Sequence, residues 1–138
     1  MTTATLVSLD QLDEFTRAYL ECCLWAETDE SDERGGQPLD DNYTLDDFAP
    51  EALERAIADC RRFQEENVAD LALYNHPQYT VAELGGHDLW LTRNGHGCGF
   101  WDRDDCLPEA AGERLSDAAR TCGECYATVG DDGLIYLD

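Results

Sequence analysis

Apolar positions recur at helical spacing in three stretches of the chain. Leu12, Phe15, Tyr19, Cys22 and Ala26 follow at intervals of 3, 4, 3 and 4, one stripe of a helix over about 9–26. Leu20, Cys23 and Leu24 widen the stripe, and Asp10, Asp13, Arg17 and Glu21 line the opposite side. Ser8 and Gln11 make a capping box at its start, with Val7 and Leu12 as the hydrophobic staple. A second stripe, Leu53, Ile57, Cys60, Phe63, Leu71 and Tyr74, predicts a helix from Pro50 to about Tyr74. Asn75-His76-Pro77 stops it, because a residue before proline disfavours the helical region. The third stripe, Leu107, Ala111, Leu115, Ala118 and Cys122, predicts a helix over 107–122 that ends at Gly123.

Elsewhere the pattern shortens to strands and turns. Thr80 and Glu83 form a capping box with Tyr79 and Leu84 as staple, predicting a single helical turn before Gly85-Gly86. From Gly85 to Arg103 the sequence reads as a central hairpin: DLWLTR, a turn, then CGFWDR. Asn94-Gly95 is the signal, since a type I′ turn takes φ > 0 at both central positions. That register sets Leu91 opposite Cys98, Leu89 opposite Phe100 and Trp90 over Gly99; a longer NGHG loop pairs Trp90 with Trp101 instead. A second hairpin joins Glu124–Val129 to Leu134–Leu137 through Gly130-Asp131-Asp132-Gly133. The expected fold is one α+β domain over 1–138. An antiparallel sheet of about four strands, from the two hairpins, packs against about three helices.

Between the first two helices, residues 27–49 break periodicity with Gly35-Gly36 and Pro38. Nine acids and one Arg from Glu27 to Asp47 give this stretch a net charge of −8. Leu39, Tyr43, Leu45 and Phe48 are spaced apolar anchors, so the stretch reads as a long acidic loop pinned to the body. A solvated charge run accounts for Asp29 to Glu33 without any partner. An EF-hand is excluded, because the calcium-loop pattern does not occur.

Charge extends this picture to the whole chain. Thirty-one acids face nine bases, all Arg, for a net charge of −22. A field of that sign repels nucleic acid and anionic membrane and steers toward basic surfaces. DNA mimicry, salt adaptation and plain solubility all produce such acidity. No 18-residue uncharged apolar run and no secretory signal are visible, so the expected address is the cytoplasm. Seven Cys, an odd number without an export signal, argue against a disulfide framework.

Candidate chemistry is sparse. Cys122-Gly-Glu-Cys125 with Cys98 and Cys106 upstream supplies four thiolates for zinc, although the upstream pair lacks knuckle spacing and Cys122 lies on an apolar stripe. A redox role is weaker, since this CxxC follows a helix instead of opening one. His87, Asp88 and His96 sit on or near the central hairpin and form the candidate set for a metal-assisted hydrolase or nuclease. Turn chemistry alone explains Asn94 and Gly95, and a chain of this charge repels a nuclease's substrate. Trp90, Phe100 and Trp101 are better read as packing than as a base-stacking platform.

The run GHDLWLTRNGHGCGFWDR, with GGQPLDDNYTLDDFAPEALERAIADC before it and VGDDGLIYLD after it, resembles a family of small proteins encoded by phages, prophages and plasmids. The likeness covers about Leu12 to Tyr136. It departs at Cys98 and Cys106, where the relatives carry other residues, which weakens a metal reading built on them. The resemblance implies an accessory factor that acts on host machinery or host defence, and it carries over no catalytic residue. The expected function is therefore that of a non-enzymatic acidic interaction protein, without a cofactor. Its partner is a host protein with a basic, nucleic-acid-binding surface, as for a DNA-mimic inhibitor of anti-CRISPR or anti-restriction type. Asp29, Glu30, Asp32, Glu33, Asp40, Asp41, Asp46 and Asp47 are the candidate contacts. A virion structural component is the remaining alternative.

Overall fold

The computed structural model describes residues 9–31, 36–96, 99–103 and 105–138. Val7, Ser8, Asp32, Glu33, Gly35, Gly97 and Cys98 lie outside the described residues. The first stripe forms a 3₁₀ turn, Leu9–Gln11, and then helix α1, Glu14–Ala26. Asp13 interrupts the expected continuous helix, because its side chain caps α1 by accepting from Thr16 N at 2.8 Å. Strands β1, Thr28–Asp29, and β2, Gln37–Pro38, pair antiparallel inside the acidic stretch. Two 3₁₀ turns follow, Leu39–Asp41 and Leu45–Asp47.

The second stripe is shorter than its periodicity suggested. Helix α2 spans Pro50–Glu66 and stops at Asn67, and a single turn, α3, covers Val68–Leu71. The third stripe holds as α5, Glu109–Thr121. The closing hairpin also holds, as β3, Ala127–Val129, against β4, Ile135–Leu137.

The central hairpin is overturned. Val81–Arg93 is a helix, α4, opened by the Thr80–Glu83 capping box. Asn94 sits at φ −100, so no type I′ turn exists there. Gly95, at φ +68, is the left-handed residue that ends the helix, the other common use of an Asn-Gly pair. Gly85 and Gly86 do not break α4; they let it approach α1. A Cβ on Gly86 would stand 2.1 Å from the Phe15 carbonyl oxygen and 2.9 Å from Tyr19 N. Without glycine the two helix backbones could not touch.

The α+β class stands, but the four-stranded sheet does not form: the described strands make two separate two-stranded sheets. Helices pack mostly on one another, with α2 also against β4. Among the described residues, helices α1 and α4 make the most extensive contact and run in the same sense, Phe15 against Gly85 and Tyr19 against Trp90. Trp90 is fully buried with its ring edge-on to Tyr19 at 5.2 Å. From α2, Phe63 stacks on Phe100 at 5.6 Å, and Ile135 of β4 is buried near the start of α2, its carbonyl accepting from Ala49 N at 2.9 Å. Each such side chain contributes roughly 1.5–3 kcal/mol of burial. No helix among the described residues is long and apolar enough to cross a membrane.

Arg93, only 4% exposed, fastens the end of α4 to three other parts of the chain. Its guanidinium donates to Tyr19 Oη at 2.9 Å, Asp59 Oδ2 at 3.0 Å, Cys122 O at 3.0 Å and Gly123 O at 2.8 Å. A planar five-donor fork suits such a task; a lysine would leave several acceptors empty.

Candidate functional site

The acidic stretch uses several of its own carboxylates. Asp29 accepts from Ser31 N at 2.9 Å and from the hydroxyls of Ser31 and Tyr43, and those bonds from Ser31 hold it below the usual carboxylate range. Glu30 accepts from Thr28 Oγ1 at 3.1 Å and Gly36 N at 2.5 Å, bracing the β1–β2 pair. Asp47 closes a capping box by accepting from Thr44 N at 2.7 Å. Asp40, Asp41 and Asp46 are exposed on the two 3₁₀ turns. Of the predicted contact residues, these three point their charge outward with no such duty in the fold. Asp32 and Glu33 are outside the described residues.

Among the described residues the metal sets are not brought together. Among the described residues, no three His, Cys, Asp or Glu side chains come together to hold an ion. His96 Nε2 meets Glu27 Oε2 at 2.5 Å, and the same oxygen accepts from Trp90 Nε1 at 2.8 Å. His96 is thereby a clasp between the end of α4 and the end of α1, not a partner of His87. Cys106 and Cys125 are buried, Cys122 is exposed at the end of α5, and Cys98 is outside the described residues. Burial pushes the thiols of Cys106 and Cys125 up, away from the thiolate that a zinc ligand needs.

What the sequence did not bring together is a cleft of about 590 Å³ along the joint of α1 and α4. One wall is a face of α1: Glu14, Arg17, Glu21, Cys22 and Trp25. The other is Tyr79, Glu83, Leu84 and His87, with Arg103 beneath. Trp25 is 60% exposed and Tyr79 51% exposed, large apolar surface at either end of a polar trough. The only sequence signal was an indole at the polar edge of the α1 stripe. The wall opposite belongs to the segment read as a hairpin, so the pairing was invisible.

Below the cleft lies Asp88, fully buried. Arg103 grips it through Nε at 2.9 Å and Nη2 at 2.8 Å, and Tyr74 donates its hydroxyl at 2.6 Å. Burial alone pushes this carboxyl up; the surrounding imidazole, guanidinium and phenol outweigh it and hold it below its ordinary value. Burial and the Asp88 charge together keep Tyr74 protonated. His87 Nδ1 is buried without a hydrogen-bond partner, 3.7 Å from Asp88 Oδ1. The His87 ring also leans on Trp25, with centroids 5.7 Å apart.

The chain matches no family model, no curated protein and no solved structure.

Proposed function

We propose that this chain is an acidic interaction protein of a mobile genetic element. It occupies a basic, nucleic-acid-binding surface on a host protein, its carboxylates standing where phosphates would. One observation carries the reading: the negative charge is not neutralised from within. Arg55, Arg62, Arg93, Arg103, Arg114 and Arg120 each already face a carboxylate of the chain. The chain has 31 acids against nine Arg, and Asp40, Asp41 and Asp46 stand exposed on consecutive turns. Long-range attraction to a cationic groove follows, and it weakens as salt screens it.

The test is capture from a lysate of the host cell on immobilised protein at low salt, followed by a salt gradient. A nucleic-acid-binding protein retained by the wild type, released by salt and poorly retained by an Asp40→Asn/Asp41→Asn/Asp46→Asn variant supports the reading. Retention that salt and the triple variant leave unchanged refutes it.

A further inference from the structure

Carboxylates outnumber guanidinium groups around the α1–α4 cleft. Glu14 and Glu83 each spend part of their carboxylate on Thr80, Glu14 accepting its hydroxyl at 2.9 Å and Glu83 its backbone N–H at 3.1 Å. Both keep oxygen lone pairs, as does exposed Glu21. Two cations share the lining. Arg103 is cancelled by Asp88, and Arg17 turns Nη2 to the Leu9 carbonyl at 3.1 Å. With Asp88 included, four carboxylates stand against two guanidiniums.

His87 adds to the same bias. Its Nδ1 is buried beside the ionised Asp88, whereas 36% of the side chain is exposed. A carboxylate on that side favours the tautomer with the proton on Nδ1. The edge that borders the cleft then carries the Nε2 lone pair, one more acceptor. At the two ends, Trp25 and Tyr79 offer the negative faces of their rings. Trp25 lies eleven positions beyond Glu14, so the trough is about 16 Å long at helical rise. That length suits several side chains of an extended segment better than a single small ion.

We infer that this cleft is a docking trough for an arginine-bearing segment of a basic partner protein, with a guanidinium stacked on Trp25 and held by Glu21 and the His87 Nε2 lone pair. A planar guanidinium matches both the indole face and a carboxylate fork. The inference rests on the proposed basic partner and names where on the chain part of that partner sits.

The experiment titrates a nona-arginine peptide into the full chain by isothermal titration calorimetry. Three proteins are compared: wild type, a trough variant (Glu21→Gln/Trp25→Ala) and the turn variant (Asp40→Asn/Asp41→Asn/Asp46→Asn). The trough positions are exposed, and circular dichroism confirms that both variants remain helical. The expected result is a loss of about tenfold in affinity for the trough variant and about twofold or less for the turn variant. A second probe, nona-lysine, binds the trough less tightly than nona-arginine. If the turn variant loses affinity and the trough variant does not, the trough inference is overturned while the basic-partner reading stands. If neither peptide binds the wild type, both are overturned.

Discussion

Arg103 and Asp88 are joined by two parallel hydrogen bonds, at 2.9 and 2.8 Å, beneath a cleft that the chain's own pattern of residues did not announce. Asp88 is fully buried on α4, and Arg103 lies beyond the end of that helix. The pair therefore folds the segment after α4 back against its own helix and fixes the floor on which His87 rests.

Removing this anchor is expected to be costly. Asp88→Asn keeps the shape but leaves Arg103 facing a neutral amide, and a loss of about 3 kcal/mol is predicted from urea unfolding. Tyr74→Phe removes one donor to the same carboxylate and should cost about 1–2 kcal/mol. Equal losses for the two variants would show that Arg103 is not the principal partner.

The same carboxylate sets a pH dependence. Its folded value lies below the ordinary 3.8, so its contribution to stability is complete above about pH 4 and fades as pH falls through the folded value. Acidification also relieves the repulsion of a chain at −22, which acts in the opposite sense. The difference in unfolding free energy between wild type and Asp88→Asn isolates the group. That difference should shrink as pH is lowered from 5 towards 2, and a constant difference would contradict the assignment.

Gly86 provides a steric test. A methyl at this position meets backbone rather than a movable side chain, so Gly86→Ala must push α1 and α4 apart, at a predicted cost of about 3 kcal/mol or more. Gly85→Ala meets the Phe15 ring and the Leu71 side chain, which can shift, and should cost less. Thermal unfolding of the two variants orders them directly.

Much of the helical framework was legible because α1, α2 and α5 each bury a single stripe and leave a polar face. Helix α4 was not. Nearly all of it is enclosed, from Leu84 through Arg93, so no polar face marks its period. The glycines that allow its close approach to α1 are the same residue type that ends strands and helices, and Asn94-Gly95 serves a helix end as well as a hairpin turn. Its capping box at Thr80 was legible, but the helix it opened was cut after one turn. The cleft was hidden for the same reason, since one of its walls is that helix. The exposed Asp40, Asp41 and Asp46 were legible as charge, whereas the internal duties of Asp29, Glu30 and Asp47 depend on turns that composition does not specify.

Asp47 separates these two kinds of carboxylate. Asp47→Ala should lower stability by about 1 kcal/mol through loss of its capping box, while Asp46→Ala should leave stability within about 0.5 kcal/mol. Chemical denaturation of the pair checks whether the turn carboxylates divide as described.

Competition shows most directly whether this chain takes the place of nucleic acid on a basic partner. The partner captured from the host lysate is loaded with a fluorescent duplex oligonucleotide, and the chain is titrated in at fixed salt. Complete displacement of the duplex, seen as falling anisotropy, is expected, with the turn variant needing a higher concentration. A ternary complex in which duplex and chain stay bound together would contradict it.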